Sequence, residues 1–206
     1  MMKNSLSNIL PFLLIADLII PFLLAPTYKG YNHLTQVMSV LGNSKAPLHL
    51  IYNIWLVVFG IAILISTLQL YPNIAKVSSI ISIVLSSVII IYAIGGCILS
   101  GIFSVGETKS LETLSAKIHG YGSVIGFLLL TFAPLFIGLY FYKISNGLLG
   151  TLSLVCFILA IAFFALFVMA DKPTYKGTIV ALEGLWQRLS LLSMYLPIMA
   201  LCIFRK

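Results

Sequence analysis

The chain has 206 residues, 61% hydrophobic and 8% charged, and a mean hydropathy of +1.13. A soluble domain carries about 45–50% apolar and about 25% charged residues, so a globule of this composition lacks the polar surface to stay in water, and a soluble enzyme is excluded. The net charge of +7 does not point to nucleic acid, because the lysines flank apolar runs singly and form no dense phosphate-tracking patch.

Each helical crossing of a bilayer takes about 20 mostly apolar residues. The chain offers six such runs, at about 8–25, 49–70, 77–103, 117–142, 148–170 and 183–203. The expected fold is therefore all-α, an integral membrane bundle of six transmembrane helices forming one domain over residues 1–206. The first run follows Lys3 but is long, contains Asp17, Pro11 and Pro21, and has no Ala-x-Ala site. It reads as a retained membrane helix rather than a cleaved signal. Cys97, Cys156 and Cys202 lie inside apolar runs and read as packing residues rather than a disulfide framework.

The connections at 71–76 and 143–147 are short and carry one lysine each, whereas those at 26–48, 104–116 and 171–182 are long. The short ones share a side with both termini. Basic residues are denser on that side, which predicts cytoplasmic termini in a cell membrane. Within the first long connection, Leu34, Val37, Met38 and Leu41 recur at helical spacing. They predict a short interfacial helix at about 33–41, capped by Asn32 and ended by Gly42.

Small residues mark close helix contacts. Ser78, Ser82 and Ser86 form one row, Gly96 and Ser100 a pair, and Gly122 with Gly126 a GxxxG. The pentapeptide Pro-Thr-Tyr-Lys-Gly occurs at 26–30 and again at 173–177, which records either a duplicated unit or a shared turn.

The polar residues inside these runs carry the functional reading. Asp17 is the acid nearest the middle of a helix, where a charge costs several kcal/mol unless it is paired, hydrated or neutral; no Lys or Arg lies at its depth. It reads either as a proton or cation site or as a hydrogen-bonded carboxyl. His33, His49 and His119 all map to the outer side. His119 shares a face with Gly122, Ser123 and Gly126, and Glu183, Gln187 and Ser190 align in the same way on helix six. With Glu107 and Asp171 they would build a polar pocket at the outer mouth. Three histidines with carboxylates can bind zinc, but no HxxxH or HExxH spacing places two ligands on one element. Trp186 belongs at the interface, and Arg188, one residue beyond Gln187, faces either that pocket or lipid headgroups.

Several segments occur in a familiar order: Ser39-Val40-Leu41-Gly42 after a Pro-x-Tyr loop, Gly101-Ile102-Phe103 leading to Glu107, Ile-His-Gly-Tyr-Gly-Ser around His119, and Gly184-Leu185-Trp186-Gln187-Arg188-Leu189. Over about residues 26–190 the chain resembles the prokaryotic membrane family called domain of unknown function 998 (DUF998). That resemblance implies about six membrane helices and marks Tyr28, Ser39, Gly42, Glu107, His119, Gln187 and Arg188. The chain departs from the family pattern at Val40, where an acid is common, and at Ser104, where proline is common.

Three functions compete. A non-enzymatic protein would bind a lipid headgroup or small amphiphile among His119, Glu107, Gln187, Arg188, Ser39, Tyr28 and Glu183, with membrane lipids as its partners. An intramembrane metal-dependent hydrolase would use His33, His49 and His119 with Glu107 or Glu183 as base. A proton-coupled transporter would centre on Asp17. None of these patterns names a cofactor.

Overall fold

The computed structural model describes residues 5–103 and 112–205. Six helices are long and apolar enough to cross a membrane: α1 (Ser5–Leu24), α2 (His49–Val77), α3 (Ser79–Ile102), α4 (Leu114–Lys143), α5 (Gly147–Ala170) and α6 (Glu183–Phe204). There is no strand among the described residues. The chain is an all-α, multi-pass membrane protein, as its composition requires.

Each helix packs on its neighbour in sequence, and α6 returns to α1, so the six form a closed ring. The first half of α4 lies against α3, while its second half lies mainly against α5 and α6. The chain ends meet on one side. Arg205 donates from Nη2 to Ser7 Oγ at 3.1 Å and to Asn8 Oδ1 at 2.7 Å, and Ser7 N–H donates to Gln69 Oε1 of α2 at 2.9 Å.

The helices run longer than the apolar signal indicates. The expected loop at 71–76 is instead the last turns of α2, which continues through Pro72 to Val77. A 29-residue helix is about 43 Å long, so its polar end emerges beyond an apolar layer of about 30 Å. Hydropathy detects where the lipid stops, not where the helix does. Only Ser78, in extended conformation, separates α2 from α3, and its Oγ caps the Ile81 amide. Likewise α4 starts at Leu114, capped by Thr113, which places His119 in the second turn rather than the first.

The helix expected at 33–41 contracts to a 3₁₀ helix over Met38–Gly42. Val37 is extended (φ −66°, ψ 154°) and breaks the spacing, so Leu34 is exposed while Val37, Met38 and Leu41 are buried. Asn32 does not cap a helix; its Oδ1 closes a local turn with Leu34 N–H at 2.8 Å.

Close packing is concentrated between α3 and α4. Residues Ala93–Leu99 form a π-helical turn, and its two glycines meet the GxxxG of α4. A Cβ on Gly95 would collide with the Gly122 carbonyl oxygen, and one on Gly126 would lie 2.9 Å from Gly96 N and 3.2 Å from Tyr92 Cα. The small-residue faces therefore fit glycine against glycine, which brings the backbones together where lipid offers no hydrophobic drive for association. Ser100 Oγ donates to Gly95 O at 2.9 Å and lies 2.7 Å from Ser123 Oγ, adding a polar bond across the same contact.

The repeated pentapeptide is one turn used twice. Both copies include a 3₁₀ helix and end on a glycine of positive φ, 86° at Gly30 and 79° at Gly177. Tyr28 N–H bonds Ala25 O and Tyr31 N–H bonds Tyr28 O; at the same register, Tyr175 N–H bonds Lys172 O and Thr178 N–H bonds Tyr175 O. Proline at the start and glycine at the left-handed position suit this turn.

The glycine contact predicts an order of stabilities. Gly126→Ala should cost about 1–3 kcal/mol by overpacking against backbone that cannot retreat. Leu128→Ala should cost less, because Leu128 is 45% exposed and lipid is as apolar as the side chain it replaces. Thermal unfolding in detergent checks the order; equal losses would show the contact to be incidental.

Candidate functional site

Two polar centres lie among the described residues, one deep in the bundle and one on the long-loop side. The deep centre is Asp17, 2% exposed. Trp55 of α2 donates from Nε1 to its Oδ1 at 2.9 Å, and Tyr195 of α6 donates its hydroxyl to Oδ2 at 2.9 Å. The Tyr195 hydroxyl also bonds that of Tyr92 on α3. Four helices thus converge on one carboxyl group, with no Lys or Arg among its partners. The aromatic rings pack around it, Trp55 on Phe59 at 5.6 Å and Phe59 on Tyr195 at 6.3 Å.

The second centre is built on Arg188. Its Nη1 donates to His33 O at 2.7 Å, to Gly184 O at 2.8 Å and to Gln36 O at 3.3 Å. Its Nη2 donates to the Tyr31 hydroxyl at 2.8 Å and to His33 Nδ1 at 3.2 Å. The guanidinium also lies 5.5 Å from the centroid of Phe22 on α1, and the His33 ring stacks on Phe22 at 4.3 Å. Arg188 therefore faces the first long loop and α1, settling an orientation that periodicity left open. Every group it meets among the described residues is neutral, and its Nε is buried without a partner.

Neighbouring atoms hold the same loop. Gln187 Oε1 accepts from Met38 N–H at 2.7 Å, and Leu185 N–H bonds Leu34 O at 3.0 Å. Gly184 is required here, since a Cβ would strike the His33 and Gln36 carbonyl oxygens. The loop is thus clipped to the first two turns of α6.

The sequence-marked residues divide among these surroundings. Gln187, Arg188 and His33 come together. Tyr28 is half-buried and stacks on Tyr31 at 6.5 Å, beside the clamp. Ser39 lies in the 3₁₀ helix that Gln187 holds. Glu183 opens α6 one turn before Gln187. His119 is elsewhere: buried on α4, it donates from Nδ1 to Phe103 O at 2.8 Å at the end of α3. His49 bonds Ala46 O through Nδ1 at 2.8 Å, so the three histidines have separate partners. Among the described residues no three His, Cys, Asp or Glu side chains form a group that could hold a metal ion. Glu107 lies outside the described residues.

Partners were harder to read than centres. Phe22 and Tyr31 at Arg188, and Trp55, Tyr92 and Tyr195 at Asp17, were not singled out in the sequence. A signal exists for the last three: aromatics with polar tips normally mark the interface, and these lie well inside apolar runs.

Burial, and then the Arg188 charge, push the His33 ring below the usual histidine value. The folded ring stays neutral and accepts from Arg188, while the unfolded ring takes up its proton near pH 6.5. The unfolded chain binds that proton first, so this contribution is present above about pH 6.5 and is lost as the pH falls toward the folded value. His33→Phe retains a ring on Phe22 without the titration. Between pH 7 and pH 5 the thermal stability of the wild type should fall more steeply than that of the variant; parallel curves would show that His33 does not carry the effect.

No curated protein and no solved structure matches the chain. The loop, His119, Gln187 and Arg188 all lie within residues 14–203, the span matched by the family described as "Protein of unknown function (DUF998)", and the chain belongs to that family.

Proposed function

We propose that this membrane protein binds an anionic lipid headgroup, or a small amphiphile with an anionic head, at the Arg188 clamp. The observation that carries the reading is the guanidinium surrounded by neutral acceptors alone: its charge has no counter-ion among the described residues. A cation held at a membrane boundary attracts phosphate. Phe22, 50% exposed beside it, offers an apolar surface for the chain of the same molecule, and the half-buried Tyr28 and Tyr31 suit the headgroup level.

Native mass spectrometry of detergent-purified protein with phosphatidylglycerol tests this. Arg188→Gln should weaken binding about tenfold, the size of one charge-assisted bond, and leave phosphatidylcholine unaffected. Arg188→Lys keeps the charge without the fork geometry and should retain most of the binding, which separates loss of charge from loss of the clamp. Equal binding by wild type and Arg188→Gln would overturn the reading.

The same proposal places the termini in the cytoplasm of a cell. The five charged side chains that the sequence assigns to the terminal side, Lys3, Lys76, Lys143, Arg205 and Lys206, are all basic, whereas four of the five acids lie in or beside the long loops; this supports the orientation by the positive-inside rule. In a chain freed of its native cysteines, an impermeant thiol reagent applied to intact cells should label Ser44→Cys and not Ser145→Cys. The reverse pattern would invert the orientation.

Asp17 favours a second reading, proton-coupled transport, because an intramembrane acid without a cation partner is by default a functional group. Asp17→Asn would then abolish coupled uptake into vesicles while leaving the bundle folded.

A further inference from the structure

On the terminal side, the start of α3 and the end of α4 enclose an open groove of about 480 Å³, lined by Ser78, Ile80, Ile81, Leu139, Tyr142 and Lys143. It is distinct from the Arg188 clamp, which lies on the opposite side of the bundle. Its wall has two chemical halves. Ile80, Ile81 and Leu139 are aliphatic, with Ile80 76% exposed. Ser78, Tyr142 and Lys143 form the polar half. Tyr142 is held in place by a 2.8 Å bond between its hydroxyl and Thr151 Oγ1 of α5, and Lys143 is exposed in the last turn of α4. Tyr142 and Lys143 end α4 and Leu139 lies one turn further into it, in the order of a lipid headgroup above a chain, while Ile80 and Ile81 in the first turn of α3 form the facing wall.

Charge identifies the kind of lipid. Among the described residues the terminal side carries Lys76, Lys143 and Arg205 and no Asp or Glu, so an anion bound there meets no like charge from them. Each lysine near a membrane surface contributes attraction for anionic lipid.

We propose that this groove holds one anionic glycerophospholipid of the leaflet on the terminal side, with its phosphate at Lys143 and Ser78 and an acyl chain along Ile80, Ile81 and Leu139. The occupant is a lipid rather than a soluble anion, because half of the wall is aliphatic and Ile80 and Leu139 present exposed apolar surface there. Bound there, the lipid bridges α3 and α4 at the end of the bundle opposite their glycine contact.

The test uses the full chain in detergent, read by native mass spectrometry with phosphatidylglycerol, phosphatidylcholine or inorganic phosphate added. Phosphatidylglycerol should be retained in preference to phosphatidylcholine, and inorganic phosphate should not compete for the site. Lys143→Gln, at an exposed position, should reduce retention about fivefold, the effect of removing one lysine from an anionic surface. Leu139→Trp should block the chain position with every charge in place. Lys176→Gln, an exposed lysine on the long-loop side, should change nothing. Equal retention of the two lipids, loss with Lys176→Gln as large as with Lys143→Gln, or unchanged binding in both groove variants would each overturn the proposal.

Discussion

A carboxyl group in hydrocarbon must find hydrogen-bond partners inside the protein, and the centre of this bundle is arranged around that need. The apolar layer supplies neither water nor counter-ions, so Asp17 on α1 draws a Trp N–H from α2 and a Tyr O–H from α6, and Tyr92 extends the chain to α3. Lipid gives apolar helices little reason to associate, whereas these bonds have few alternatives once the helices separate. They set the order α6–α1–α2–α3 in the ring. The contacts that complete the ring are mostly apolar or glycine-mediated, with single hydroxyl bonds across them at Ser100–Ser123 and Tyr142–Thr151.

The long-loop side follows the same rule with the opposite charge. The first loop carries backbone carbonyls that a free loop would present to water, and Arg188 collects two of them, His33 O and Gln36 O, together with a tyrosine hydroxyl and a histidine nitrogen of the same loop and the Gly184 carbonyl of its own helix. The guanidinium is suited to this because its planar fork offers donors in fixed directions. Gln187 and the Leu185 amide continue the attachment along α6, so the loop and α6 form one polar cap. The charge that organises the cap meets no acid among the described residues.

His119 illustrates how much depends on which neighbour a helix chooses. It lies on the small-residue face of α4, and a pocket shared with Gln187 is a natural expectation. The first half of α4 packs on α3, however, and the ring donates to the Phe103 carbonyl near the end of that helix. The face of α4 that carries His119 is legible in the sequence; the helix that this face meets is not.

Composition and periodicity alone determined the membrane class, the six helices long and apolar enough to cross, and the glycine face of α4, because these depend on transfer into lipid and on local spacing. The same local logic made Asp17 and Arg188 conspicuous, since a charge within an apolar run is visible without knowing its neighbours. Helix ends beyond the apolar layer were hidden, as the last turns of α2 through Pro72 demonstrate: once a helix emerges into water, hydropathy no longer reports on it. The 3₁₀ form of Met38–Gly42 also needed tertiary context, since Gln187, 149 residues away in sequence, takes the Met38 amide. Only the tertiary structure joined Asp17 to Trp55 and Tyr195, and Arg188 to Phe22 and Tyr31, because partners on separate helices share no period in the sequence and meet only when the ring closes.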